Sequence, residues 1–131
     1  MVFRNWGKLF GELEESLATG RGFARFGTGE FADSLAFREL DALYRELIPF
    51  FSRKKNAVLE LKTKTTNVGS LLTIQEHGHV IVAWSLNSEY VSRREEQAAP
   101  GMVRRLEAAR RVQDAGYALA FHFDPIVLHE G

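Results

Sequence analysis

The stretch Val80-Ile81-Val82-Ala83-Trp84-Ser85-Leu86 constrains the fold more than any other part of this chain. It is almost continuously β-branched, aliphatic or aromatic, with no polar alternation, so it predicts a strand covered on both faces, as in a parallel sheet with helices packed on it. Ala57-Val58-Leu59-Glu60-Leu61-Lys62-Thr63-Lys64 is a second strand, apolar at first and alternating in its second half. Phe23-Ala24-Arg25-Phe26 precedes these two, and Ala118-Leu119-Ala120-Phe121-His122-Phe123-Asp124-Pro125 follows them.

Helical patterns separate the strands. Phe3, Trp6, Phe10, Leu13 and Leu17 recur at intervals of three and four, with Asn5 as cap and Gly20 as stop. Asp33 and Ser34 are caps for a second helix carrying Leu40, Leu43, Leu47 and Ile48 on one face, and Pro49 limits its extension. Asn67 caps a short helix with Val68, Leu71 and Leu72. Beyond Pro100 a helix presents Val103, Leu106, Ala109, Val112 and Ala115 on one side and ends at Gly116. Strict alternation of helix and strand means parallel βαβ units, so the predicted fold class is α/β, in a single domain over residues 1–131.

Composition narrows the function. With 17 Lys+Arg against 17 Asp+Glu, the chain lacks the basic footprint of a dedicated nucleic-acid binder. The absence of cysteine excludes disulfides, thiolate zinc sites, cysteine nucleophiles and any cluster held by the chain's own thiolates. No stretch approaches the roughly 18 uninterrupted apolar residues of a spanning helix, and the first residues lack a signal-peptide run. The expectation is a soluble, cytoplasmic protein without a membrane partner.

The polar residues gather where ligands bind in such folds. Gly27-Thr28-Gly29-Glu30, Lys62 and Lys64, Ser85 and Asn87, and His122 and Asp124 each fall at or near the carboxyl end of a predicted strand. The glycine turn either serves a sharp corner or offers amides and a carboxylate to a ligand with an amine or ribose hydroxyls. Lys62 and Lys64 share a strand face, and facing inward they require an anionic partner. The pairs His122 with Asp124 and His77 with His79 admit a metal reading, but neither has a third ligand nearby, so no metal site is assigned. Arg93, Arg94, Arg104, Arg105, Arg110 and Arg111 are interleaved with Glu95, Glu96, Glu107 and Asp114. A solvated helix face is the default for them and phosphate binding the alternative.

Arg25-Phe26-Gly27-Thr28-Gly29-Glu30-Phe31-Ala32-Asp33-Ser34-Leu35, Leu59 to Thr65, Ala83-Trp84-Ser85-Leu86-Asn87, Arg105-Leu106-Glu107-Ala108-Ala109, and Gly116-Tyr117 with Phe121 to Ile126 form five ordered blocks. In that order and spacing the chain resembles the spore photoproduct lyase-like family of radical S-adenosylmethionine proteins. The resemblance implies a partial parallel (βα) barrel of the TIM type, of which this chain would supply about four βα units from the middle. It also implies S-adenosylmethionine as cofactor. Thr28, Gly29 and Glu30 match the segment that contacts the methionyl amino group, and Lys64 and Ser85 match contacts to its carboxylate and ribose. Asn87, His122 and Asp124 fall on the same rim.

Two departures qualify the resemblance. The Cys-x-x-x-Cys-x-x-Cys segment that holds the iron-sulfur cluster in full-length relatives is absent, so the isolated chain is expected to be inactive in the radical reaction. Glu30 stands where the DNA-repairing branch places its hydrogen-donor cysteine, which argues against repair of the spore thymine lesion. The expectation is therefore a fragment of a lyase-like enzyme keeping part of the cofactor rim. The alternative is a non-catalytic binding or assembly module of the same fold, self-associating as a homodimer through its edge strands. Nucleic acid as a partner follows from the family resemblance alone.

Overall fold

A computed structural model describes residues 6–20, 22–28, 33–86 and 100–123. In chain order it contains α1 (Trp6–Thr19), β1 (Ala24–Thr28), a 3₁₀ turn (Arg38–Leu40), α2 (Asp41–Ser52), β2 (Ala57–Thr63), a second 3₁₀ turn (Leu71–Thr73), β3 (Val80–Ser85), α3 (Met102–Asp114) and β4 (Ala118–His122). The four strands form one parallel sheet in the order β1-β2-β3-β4. Sequential strands joined by crossovers of one hand place their helices on one side of the sheet. The α/β class and the parallel units expected from the sequence are therefore found.

Leu59, Leu61, Val80, Val82 and Trp84 turn to the helix side, where they join Leu47, Ile48 and Phe51 of α2 and Ala108, Ala109 and Val112 of α3 in one core. Two aromatic residues with polar tips are accommodated there because each of the two tips finds a carbonyl. Trp84 Nε1 donates to the Thr65 carbonyl at 3.0 Å, and the Tyr117 hydroxyl donates to the Leu71 carbonyl at 2.8 Å. Near α1, the Lys54 ammonium meets Glu14 at 2.6 Å and the Asn56 amide donates to the Leu17 carbonyl at 3.2 Å. Among the described residues no helix is long and apolar enough to cross a membrane.

Local structure departs from the sequence pattern in three places. The second helix begins at Asp41, because Asp33 and Ser34 are engaged elsewhere. Asp33 accepts hydrogen bonds from the Leu35 and Lys64 amides at 2.9 and 2.6 Å and from the Thr63 hydroxyl at 2.6 Å. Pro49 lies inside α2 rather than ending it. Its missing N–H frees the carbonyl of Arg45, an exposed residue on the solvent side, where water can satisfy it. Asn67 caps no helix; its side chain donates to the Leu35 carbonyl at 2.9 Å, and only the 3₁₀ turn at Leu71–Thr73 follows.

The buried face of α3 is also rotated from the expected one. Arg105, Ala108, Ala109 and Val112 are buried, whereas Val103 and Leu106 are 67% and 42% exposed. Arg105 decides the rotation: its guanidinium donates to the Ser85 and Pro100 carbonyls, both at 2.7 Å, and the two alanines allow the helix to approach the sheet closely. Gly116 does end the helix, at φ +99°, a conformation that favours glycine.

Burial pushes the Tyr117 phenol far above its ordinary value of 10.0, and it raises that of Tyr44 against opposing hydrogen bonds from Ser34 and Thr28. The folded chain thus holds both phenol protons more tightly than the unfolded one, so this stability is present below about pH 10 and lost as the pH rises above it. The urea midpoint is expected to fall between about pH 9 and pH 11, and less steeply in Tyr117→Phe. Equal slopes in the two proteins would contradict this assignment.

Candidate functional site

The sheet's second face is where the polar side chains meet. Strand alternation and register place Arg25 of β1, Glu60 and Lys62 of β2, Ala83 and Ser85 of β3, and Ala120 and His122 of β4 on the side opposite the helices. Glu60 is the pivot. Its side chain is 7% exposed; one carboxylate oxygen receives His122 Nε2 at 2.9 Å, and the other is ion-paired with the Arg25 guanidinium. A carboxylate so enclosed requires partners of this kind, since an unpaired buried charge is costly.

The bond from Glu60 to His122 crosses β3. Glu60 pairs with Ile81 and His122 with Ser85, so the level between them is occupied by Ala83, which pairs with Lys62 on one side and Ala120 on the other. Two alanines at that level leave room for the longer side chains to meet. Ala83 is fully buried yet stands outside the apolar cluster on the helix side.

Above this network lies the carboxyl edge of the sheet. Ser85 and His122 pair in register, and Lys64 comes one residue after the Thr63–Trp84 pair, so the three fall in one row at the ends of β2, β3 and β4. The backbone there is fixed on several sides. Lys64 donates its amide to Asp33, Leu86 donates its amide to the His122 carbonyl at 2.7 Å, and the Ser85 carbonyl accepts from Arg105. Lys64 and His122 are half-buried and Ser85 is nearly closed off.

The expected site residues divide accordingly. Lys64, Ser85 and His122 are brought together. Thr28 is not: it follows Phe26 on the helix side of β1, and its hydroxyl pairs with Ser34 at 2.6 Å and with the Glu60 carbonyl at 3.3 Å. Gly29, Glu30, Asn87 and Asp124 lie outside the described residues, as do Arg93 and Arg94. Glu60, Arg25, Asp33 and Arg105 were not singled out as site residues from the sequence. For Glu60 the signal was present, since the alternation that pairs Lys62 with Lys64 extends back to it.

The comparisons with known proteins agree with one another. The profile of the family described as "Spore photoproduct lyase" matches residues 5–131. The spore photoproduct lyase of Bacillus subtilis (strain 168) is 31% identical over 109 residues, which cover 83% of this chain and 32% of that protein. That of Geobacillus sp. (strain Y412MC61) is 32% identical over 107 residues, 82% of this chain and 31% of the relative. The chain thus spans about a third of the length of these curated relatives. A solved structure of a spore photoproduct lyase mutant with bound AdoMet and dinucleoside spore photoproduct superposes with a TM-score of 0.90 at 29% identity. The superposition covers 97% of this chain and 38% of that one.

Filling the gap on β3 tests the network. Ala83→Leu is expected to force Glu60 and His122 apart and to destabilise the chain by about 1–3 kcal/mol in urea denaturation. An unchanged midpoint would show that the crossing does not depend on the small residue.

Proposed function

Because this chain belongs to the spore photoproduct lyase family, we propose that the carboxyl edge of its sheet is an S-adenosylmethionine-binding rim of a radical-enzyme partial barrel. The row of Lys64, Ser85 and His122 carries this reading. Its chemistry fits the cofactor: an ammonium suits the methionyl carboxylate, and a hydroxyl and an imidazole suit ribose hydroxyls or an amine. In this reading Lys64 takes the carboxylate, Ser85 the ribose, and Thr28-Gly29-Glu30 the methionyl amino group, with Asn87, His122 and Asp124 completing the rim. Thr28 would contribute its backbone, its hydroxyl being held by Ser34.

The second group implied by the family does not fit these residues. An iron-sulfur cluster is held by thiolates, and the 131 residues contain no cysteine, so they supply no ligands for it. The radical reaction is accordingly assigned to this chain only in company with cluster ligands from outside these residues. The relative's bound dinucleoside spore photoproduct makes a DNA-lesion substrate the family precedent. Glu30 at the aligned donor position lacks the weak S–H bond from which a thiol gives a hydrogen atom, so turnover of that lesion is not part of the proposal.

A second reading is favoured by the apolar side chains around β4. Phe121 and Phe123 are 41% and 64% exposed, and Phe121 lines one shallow depression with Leu106 of α3, itself 42% exposed. A sheet with such an edge suits an assembly module that keeps the fold and self-associates as a homodimer. Sedimentation velocity is then expected to show a concentration-dependent dimer weakened by Phe121→Ser, and a monomer at high concentration would dispose of this reading.

Isothermal titration of S-adenosylmethionine separates the two. Lys64→Ala with Ser85→Ala is expected to weaken binding at least about tenfold relative to the wild-type chain, the loss of one charge-assisted contact and one neutral one. Equal heats from both proteins would remove the site assignment.

A further inference from the structure

We propose that Glu60 is a positioning residue that holds His122 in one tautomer, so that the ring presents a hydrogen-bond acceptor to the bound adenosyl ligand. The inference rests on the S-adenosylmethionine reading above and names what selects that ligand on β4. A carboxylate can only accept, so the 2.9 Å contact with Glu60 requires the proton on His122 Nε2. In a neutral imidazole the other nitrogen is then a lone pair. Nδ1 makes no hydrogen bond within the described structure, and the side chain is 33% exposed, enough for a ligand to reach it.

The surroundings restrict the ring further. Arg25, on the far side of Glu60, neutralises the carboxylate and favours its ionised, acceptor-only form. The backbone of His122 is paired with β3, and its carbonyl is taken by the Leu86 amide at 2.7 Å. The remaining freedom is in the side-chain torsions, and the bond to Glu60 removes it. A lone pair held in this way favours a partner with an N–H or O–H, as the amino groups and ribose hydroxyls of S-adenosylmethionine provide. Glu60 itself lies below the rim and acts only through His122.

Two measurements on the full chain test this. Long-range proton–nitrogen correlation spectra of ¹⁵N-histidine protein at mildly alkaline pH report the tautomer, with the His122 signals identified by their loss in His122→Gln. The wild-type ring is expected to be the Nε2–H form, and Glu60→Gln, whose amide can donate as well as accept, is expected to give a mixture. In calorimetry, Glu60→Gln and His122→Gln are each expected to weaken S-adenosylmethionine about five- to tenfold, with the double variant no weaker than either alone. A mixed tautomer in the wild-type chain, or full affinity in His122→Gln, would overturn the proposal. If Glu60→Gln fails to fold, as circular dichroism would show, the wild-type tautomer and the His122→Gln affinity still decide it. A wild-type chain with the Nε2–H tautomer and no binding heat would instead overturn the S-adenosylmethionine reading, and with it this use of the lone pair.

Discussion

Two parallel strands in the middle of a sheet need cover on both faces, and the arrangement of this protein follows from how β2 and β3 obtain it. On one side the cover is apolar: α2 and α3 lay Leu47, Ile48, Phe51, Ala108, Ala109 and Val112 over Leu59, Leu61, Val82 and Trp84. On the other it is polar, a carboxylate with a guanidinium and an imidazole drawn over two alanines. The first kind of cover is tolerant, since apolar side chains of suitable size can replace one another. The second is exacting, because removing the guanidinium or the imidazole leaves the buried Glu60 carboxylate short of a partner. A sheet covered in these two ways has a scaffold side and a chemical side.

What the sequence made legible follows the same division. The helix side was readable because burial repeats along the chain at fixed intervals: β3 as a continuous apolar run, β2 as a run passing into alternation, and Leu47 and Ile48 as the inward face of a helix. Where a polar group found a partner distant in sequence, the reading went astray. Asp33 resembled a helix cap because Asp often is one, but its oxygens are used by Thr63 and Lys64, thirty residues further on. Arg105 resembled a solvated arginine in a charged helix, and it is 1% exposed because two carbonyls in the β3 to α3 region take its donors. Periodicity records where a side chain points and is silent about which distant acceptor awaits it.

The candidate site was legible to a similar depth. Strand ends could be located from the apolar runs, so Lys64, Ser85 and His122 were correctly placed at one edge. The sequence could not distinguish the two faces of β1, and Thr28 belongs to the helix side, where it meets Ser34. Nor could it show that an acidic residue inside an apolar strand would pair with a histidine on the strand after next. That contact depends on the stagger of three strands and on a small residue between the partners, both of which arise only once the sheet is assembled.

Asp33 has a consequence for how such a site can change over time. The connection after β1 runs between two fixed posts, Thr28, paired with Leu61 in the sheet, and Asp33, bound to the end of β2. The separation of Thr28 and Asp33 is therefore set by β2, and a change in the number of residues between them would have to break one post or the other. A change in their identity would not. A frame of this kind holds length constant while leaving residue type open, so the chain between the posts can be rewritten while its mount is kept.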